Sequence, residues 1–455
     1  MHSPAIESDT IAAIATGPVL SAIGIVRISG PETLPVLDRV FSPLSGPAMS
    51  RRPDRKLILG RLSAADGGVL DICLATVSRG PNSYTGEDTA ELQCHGSPVV
   101  LRQALESLFA AGARQARAGE FTRRAFLNGR LDLTQAEAVI DLIDAETPKA
   151  AENAAAQLDG AVSRRTENIY RELAAICSHY HAVLDYPDED IEPFALEGYR
   201  ATLAAAAENL GRLQATFRRG SILKNGVSCA ILGRPNVGKS SLLNALLGYD
   251  RAIVTDIPGT TRDTIEEKAV VGGVLLRLSD TAGLRQTEDA VERLGVERSR
   301  LAADAAELVL AVLDGSRPLA PEDEQVLAAA KAAPRAIVIR NKADLEQAWD
   351  REDAIALCAR TGEGLPALEL AVQKLFPPED TAPVGEVLTN PRQTEAVARA
   401  LDYVLAAEEA MNAGITPDAV LTEIEGALNA LGELSGRVVR EDITNGIFAR
   451  FCVGK

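Results

Sequence analysis

The 455-residue sequence has no Cys-x-x-Cys pair among its six cysteines, Cys73, Cys94, Cys177, Cys229, Cys358 and Cys452. Thiols scattered in this way argue against a zinc ribbon or a disulfide framework, and for a reducing compartment. No apolar run is long enough to span a bilayer. The stretch from Met1 to Thr10 carries Glu7 and Asp9 but no Lys or Arg, so no secretory signal is expected there. These absences predict a soluble, cytoplasmic protein. Basic residues are also in deficit: 47 Lys and Arg stand against 64 Asp and Glu, a formal net charge of −17. The surface as a whole therefore repels nucleic acid, and any RNA contact needs a local basic patch. The hydrophobic fraction of 46% is ordinary for a globular chain. The length leaves room for about three domains.

One stretch organises the rest. Gly233, Arg234, Pro235, Asn236, Val237, Gly238, Lys239 and Ser240 match the Gly-x-x-x-x-Gly-Lys-Ser/Thr phosphate loop. Residues 227–232 before it read as a buried strand, and 241–247 after it place leucines at helical spacing. Loop amides and the helix N-terminus then face phosphates, with Ser241 in the same first turn. Lys239 supplies a point charge, and the Ser240 hydroxyl can hold magnesium. A second apolar strand, 275–279, ends in Asp280, Thr281, Ala282 and Gly283. That carboxylate is placed to meet magnesium directly or through a water. A third, 336–339, leads to Asn341, Lys342, Ala343 and Asp344. An aspartate there accepts from the N–H groups of guanine, which adenine cannot match. The three elements in order predict a site for GTP or GDP.

The hydrolytic chemistry is less settled by the residues. Many GTPases carry a glutamine after Asp-x-x-Gly to orient the attacking water; here Leu284 stands there. Either hydrolysis is very slow, or Arg285, Glu288, Asp289 or Glu292 takes the task. Asn236, inside the phosphate loop, either braces the loop or offers its carbonyl oxygen to a cation beside the phosphates. The segment Thr255, Asp256, Ile257, Pro258, Gly259, Thr260, Thr261 can add further oxygens, and a monovalent ion there would act where an arginine finger acts elsewhere.

Around this centre the chain divides. Residues 1–128 show β-type runs at 22–28, 57–62, 70–77 and 89–94, and a helix at 99–111, which predicts an α+β domain. His95 beside Cys94 has no partner at ligand spacing. From 129 to 220 the pattern is helical and alanine-rich, with Thr134 and Glu137 read as a capping-box pair. His179 and His181, two apart, point to different faces of a helix and do not chelate together. The helical run breaks at the acidic 185–190, read as a solvated loop. Residues 221–376 alternate strand and helix, a doubly wound α/β domain with a hairpin across Gly272-Gly273. Residues 377–455 are helical again. Helices on either side of the α/β insert each need a partner for an apolar face, so they are expected to pack together as one discontinuous all-α domain.

Several further blocks carry a resemblance: Gly24-Ile25-Val26-Arg27-Ile28-Ser29-Gly30, Gly80-Pro81-Asn82-Ser83-Tyr84-Thr85-Gly86-Glu87-Asp88, Gly119-Glu120-Phe121-Thr122-Arg123-Arg124-Ala125-Phe126-Leu127-Asn128-Gly129, Gly259-Thr260-Thr261-Arg262-Asp263 and the terminal Phe451-Cys452-Val453-Gly454-Lys455. With the phosphate loop and Asp280-Thr281-Ala282-Gly283-Leu284-Arg285, they make the chain resemble the bacterial tRNA modification GTPases of the MnmE (TrmE) family, from about residue 11 to 455. The resemblance implies a Ras-like GTP domain inserted in the helical domain. It implies a homodimer formed by a folate-binding N-terminal domain. It implies an FAD-dependent partner, MnmG (GidA), in a heterotetramer or larger assembly. Together they would place an aminomethyl or carboxymethylaminomethyl group on carbon five of the wobble uridine of certain tRNAs, with a one-carbon tetrahydrofolate as donor. No membrane or DNA partner is implied.

Residue by residue, the resemblance implies magnesium ligands at Ser240 and Thr261, and a potassium cage of Asn236, Thr255, Ile257 and Thr260. It selects Glu292, in Val291-Glu292-Arg293, for orienting the water. Arg27, Glu91 and Lys455 match folate contacts. Position 130 is Arg130 where the family often has Lys; charge is kept, but the guanidinium is bulkier and forked. Cys358, Ala359 and Arg360 stand where the family usually has a Ser-Ala turn at guanine, so the backbone contact is expected to survive and the hydroxyl contact to be lost. Cys452 is read either as a buried small residue or as an active thiol. The region of Arg123, Arg124 and Arg130 is the candidate for tRNA docking. Two other classes fit parts of the pattern. Ribosome-assembly GTPases of the same superfamily often carry a KH-type RNA module or a second GTP domain; neither a basic Gly-x-x-Gly loop nor a second phosphate loop is seen here. A scaffold would dimerise and hydrolyse GTP only incidentally.

Overall fold

Alternation of inward apolar and outward polar side chains builds the first sheet. In β2 (Ile23–Ser29), Val26 and Ile28 are buried while Ile25 and Arg27 are only partly so. The computed structural model describes residues 9–17, 19–185, 196–249, 267–278, 306–377, 383–438 and 441–454. It divides into two compact units: Met1–Ile140 with Leu158–Ala204 and Asp402–Lys455, and Asp141–Gln157 with Ala205–Leu401. Among the described residues, no helix is long and apolar enough to cross a membrane.

In the first unit the seven-stranded sheet runs β3-β4-β5-β6-β2-β1-β7. The strands are β1 (Ile11–Ile14), β2, β3 (Phe41–Pro43), β4 (Ile58–Ser63), β5 (Val69–Ser78), β6 (Thr89–His95) and β7 (Arg114–Gln115). The four expected runs appear as β2, β4, β5 and β6. The others are too short to show a period. Helix Pro98–Ala110 buries Leu101, Ala104, Leu105 and Leu108, the expected face, against the core of Val26, Ile28, Ala75, Leu92 and Cys94.

The helix Leu133–Ile143 is capped differently from expectation. Asp132 Oδ1 accepts from Gln135 N at 2.8 Å, and Gln135 Oε1 accepts from Asp132 N at 3.0 Å. The reciprocal box is therefore Asp132/Gln135. Thr134 and Glu137 already lie inside the helix, because it starts one residue after Asp132. Gly160, at φ +89°, separates helix Pro148–Leu158 from the long helix Ala161–Asp185. That long helix packs against Pro417–Ser435, from the far side of the α/β insert. Across the seam His181 meets Glu425 at 2.9 Å, and Arg437, just past the second helix, pairs with Glu167 at 2.5 Å. The helical domain is thus discontinuous in sequence.

The second unit holds a six-stranded sheet in the order β13-β12-β11-β8-β10-β9. Its strands are β8 (Val227–Leu232), β9 (Glu267–Val271), β10 (Val274–Leu278), β11 (Leu308–Asp314), β12 (Ala336–Asn341) and β13 (Ala354–Leu357). All neighbouring pairs are parallel except the β9–β10 hairpin. Its turn, Gly272-Gly273, takes φ +60° and +78°, values open to glycine and costly to other residues. Every residue of β11 is buried, as befits a central parallel strand. The helix Lys239–Tyr249 sends Leu242, Leu243 and Leu246 into this core, and Pro321–Ala332 occupies the expected helical span.

Candidate nucleotide site

The parallel strands point their C-terminal ends at one set of loops, where α/β sheets bind ligands. β8 leads into the phosphate loop. Gly233 passes so close to β11 that an added Cβ would lie 2.4 Å from the Val312 carbonyl oxygen. Asn236 adopts φ +64° at an exposed position of the loop, and the helix begins at Lys239. The Lys239 ammonium donates to the carbonyls of Gly233 at 2.7 Å and Arg234 at 2.8 Å. Burial pushes its pKa down from the ordinary lysine value. Ser240 and Ser241 sit exposed in the first helical turn.

Asn341 ties this loop to the Cys358–Arg360 turn. Its Nδ2 donates to Val237 O at 2.7 Å, and its Oδ1 accepts from Ala359 N at 3.0 Å. Gly238 leaves room for the amide, since a Cβ there would stand 2.1 Å from Asn341 Nδ2. Lys342, at φ +65°, donates to Asp314 Oδ2 at 2.7 Å. Burial raises the Asp314 pKa, but the bonds from Lys342 and Ser316 outweigh it and hold the carboxyl below its ordinary value.

Asp344 accepts from the Cys358 thiol at 3.2 Å and from Arg360 Nη2 at 2.9 Å. The thiol bond is the largest influence and, with Arg360, holds the Asp344 carboxyl below the usual carboxylate range. Sulfur has the longer reach, and an S–H still donates, though weakly.

One pair escaped the sequence reading. Arg234 makes a two-pronged bond to Asp323, with both N···O distances 2.7 Å and the carboxylate almost wholly buried. Asp323 also accepts from the Ala320 amide at 3.0 Å. The sequence signal was an acidic residue in the first turn of a Pro-started helix, which reads simply as a cap.

The structure thus brings together Asn236, Val237, Gly238, Lys239, Ser240 and Ser241 with Asn341, Lys342, Asp344, Cys358, Ala359 and Arg360. The expected residues 255–261 and 280–283, with Leu284, Arg285, Glu288, Asp289, Glu292 and Lys455, lie outside the described residues.

Comparison with known proteins gives two family matches. Residues 133–452 match the MnmE helical domain, and residues 10–130 match the N-terminus of the GTP-binding protein TrmE. A protein from a Roseiflexus species is 44% identical, covering 98% of this chain and 99% of its own length. One from Symbiobacterium thermophilum is 43% identical over 98% and 99%. One from Chloroflexus aurantiacus is 42% identical over 98% and 100%. All three carry the name tRNA modification GTPase MnmE. The chain belongs to the MnmE family.

In this MnmE-family chain the N-terminal sheet presents a second polar cluster. Arg27 on β2 and Glu91 on β6 are direct cross-strand partners, with a salt bridge of 2.9 Å. The Arg27 guanidinium lies 5.6 Å from the Tyr84 ring centroid and 5.8 Å from that of Phe121. The Tyr84 hydroxyl is 2.9 Å from Thr122 Oγ1. Gly86 holds the same loop against Asn128 and Arg130, where a Cβ would lie 2.9 Å and 3.3 Å from their side chains. Behind the loop, Arg124 bonds Glu87, Glu120 and Asp9, and Arg114 bonds the last two. Burial raises the pKa of Glu120 and of Asp9, but the two arginines outweigh it and bring both below their ordinary values. Arg124, 3% exposed, is spent in this lattice and is withdrawn from the tRNA-docking candidates.

The chain end of this MnmE relative folds back onto the same domain. Val453 bridges to Ala118, and Gly119 N donates to Cys452 O at 3.4 Å. Gly119 has φ +64° and abuts Phe448 and Phe451, which pack with Ala136 and Val139. Cys452 itself is a free, exposed thiol, which corrects its reading as a buried small residue.

Proposed function

We propose that this chain is a potassium-dependent GTP hydrolase of tRNA modification that works with an FAD-dependent partner of the MnmG type. The pair would add an aminomethyl or carboxymethylaminomethyl group to carbon five of the wobble uridine, drawing on a tetrahydrofolate one-carbon unit. The observation that carries the GTPase reading is the Asn341 strap. It joins the phosphate loop to the turn in which Cys358 and Arg360 keep Asp344 ionised for guanine.

The residue roles follow the chemistry of the donors. Ser240 and Thr261 would hold magnesium, whose charge offsets the phosphates. Asn236, exposed in the loop at φ +64°, suits a hard monovalent cation. Thr255, Ile257 and Thr260 would complete that cage, and Glu292 would orient the water. Residues 1–128 are proposed as the folate-binding and dimerising domain, whose Arg27 and Glu91 would receive the folate together with Arg130 and Lys455 from the flanking segments. The forked cation and carboxylate beside two aromatic rings suit a flat heterocycle with a polar edge. Residues 129–220 and 377–455 are proposed as the helical domain and 221–376 as the GTP domain.

Turnover of GTP in potassium against sodium tests the cation, and faster turnover in potassium is expected. Equal rates would sink the cage. Nucleoside analysis of tRNA from cells lacking the gene tests the substrate, with loss of the wobble-uridine modification expected. Unchanged nucleosides would leave only a GTPase.

A further inference from the structure

Two trios of metal-ligating side chains are assembled by the fold among the described residues, Asp71 with Cys73 and Cys94, and Cys177 with His181 and Glu425. They differ in what the donors are already doing. In the first, both Asp71 oxygens accept from His95, through its amide at 2.9 Å and its ring Nδ1 at 2.8 Å. The two thiols of that trio lie inside the apolar core. In the second, Cys177 and His181 are four residues apart on Ala161–Asp185, so they share a face. Glu425 reaches them from Pro417–Ser435. The His181 and Glu425 side chains are about half exposed, at 47% and 46%, so an ion can arrive from solvent.

We propose that Cys177, His181 and Glu425 form a binding site for a zinc-class divalent cation that clips together the two halves of the helical domain. The donor set is one sulfur, one imidazole nitrogen and one carboxylate oxygen, with the ligand atoms all within 4.8 Å of one another. Zinc and its neighbours take this mixture, with water in the fourth position. Burial and the Glu425 charge both raise the Cys177 pKa, so the thiol is protonated until a cation arrives. On binding, the sulfur–hydrogen bond gives way to a sulfur–metal bond and one proton leaves to solvent. The proton in the His181 Nε2 contact with Glu425 moves through solvent to Nδ1, which frees the Nε2 lone pair for the metal. That contact is 2.9 Å now. Bond lengths near 2.0 Å at tetrahedral angles require about 3.3 Å, an opening that side-chain rotation supplies. The clip joins segments that flank the GTP-binding insert in sequence, and it does not depend on the nucleotide reading.

Cobalt(II), titrated into the metal-free, nucleotide-free full chain, tests the site. We expect one equivalent to give tetrahedral d–d bands with a near-ultraviolet thiolate-to-cobalt band. Cys177→Ser should abolish the thiolate band, while Cys452→Ser should leave it unchanged. Glu425→Gln, an isosteric change at a half-exposed position, should weaken cobalt binding about tenfold or more without touching the fold. If Cys177→Ser fails to fold, the Glu425→Gln affinity decides. A thiolate band absent from the parent chain, retained in Cys177→Ser or lost in Cys452→Ser overturns the proposal. So does unchanged affinity in Glu425→Gln.

Discussion

Arg234 of the phosphate loop grips Asp323 at the start of helix Pro321–Ala332 through two bonds of 2.7 Å. The loop is thereby anchored to the element that follows the central strand. The Asp323 side chain is 2% exposed and the Arg234 side chain 27%. Removing the arginine strands a buried carboxylate, whereas removing both charges does not. Arg234→Ala should therefore cost about 2–4 kcal/mol, the usual penalty reduced for the solvent that reaches the guanidinium. Adding Asp323→Leu should recover part of that loss. Denaturant melts of the parent, both single variants and the double variant would measure the coupling. A vanishing coupling energy would make the pair a surface contact.

Asn341 is the strap whose loss should be felt at the nucleotide. Asn341→Ala leaves the Val237 carbonyl and the Ala359 amide unpaired, at about 1–3 kcal/mol for each buried group. Guanine nucleotide affinity should fall roughly ten- to hundredfold, since about 1.4 kcal/mol is a factor of ten. Gly238→Ala should do the same from the other side, because its Cβ would stand 2.1 Å from Asn341 Nδ2 at φ +102°. Titration of fluorescent GDP reads both. Normal affinity in either variant would show that the loop holds its shape unaided.

Base choice should reside in Asp344. Asp344→Asn turns an acceptor into a donor, so GTP binding should drop by about a hundredfold or more while xanthosine triphosphate gains. Cys358→Ala should cost far less, because a thiol is a weak donor and Arg360 remains on the carboxylate. Competition between the two triphosphates distinguishes these outcomes. Equal losses in both variants would mean that the turn, rather than the carboxylate, selects the base.

Acid should attack the N-terminal domain through the arginine lattice. Glu120 and Asp9 have folded pKa values below their ordinary 4.5 and 3.8. A depressed carboxylate contributes stability in full above its unfolded pKa and loses it as pH falls through the folded value. That contribution should stay flat from neutral pH to about 4.5 and then decline. Arg114→Met leaves Glu120 with one arginine, raises its pKa and should move the acid transition to higher pH. Circular dichroism across a pH series would follow it. An unmoved transition would remove Arg114 from the lattice's energetics.

The candidate nucleotide site was legible because a phosphate loop needs local backbone geometry, and local geometry leaves a local motif. Gly233 to Ser240 and Asn341 to Asp344 could be read for that reason. The capping box was misplaced by two residues because Asp132/Gln135 and Thr134/Glu137 satisfy the same spacing, and only the helix start separates them. Arg124 read as a docking candidate because only Glu120, its i,i+4 neighbour, is local, while Glu87 and Asp9 reach it from distant segments.

The sequence by itself determined which nucleotide chemistry the chain can hold, since short-range spacing sets where amides, a lysine and an acceptor carboxylate stand. Tertiary structure alone decided the pairings across long separations. Arg27 meets Glu91, Arg234 meets Asp323, and Cys177 and His181 meet Glu425 only once strands and helices have chosen neighbours. That choice comes from burying apolar faces, which is non-directional and leaves no fixed interval in the chain.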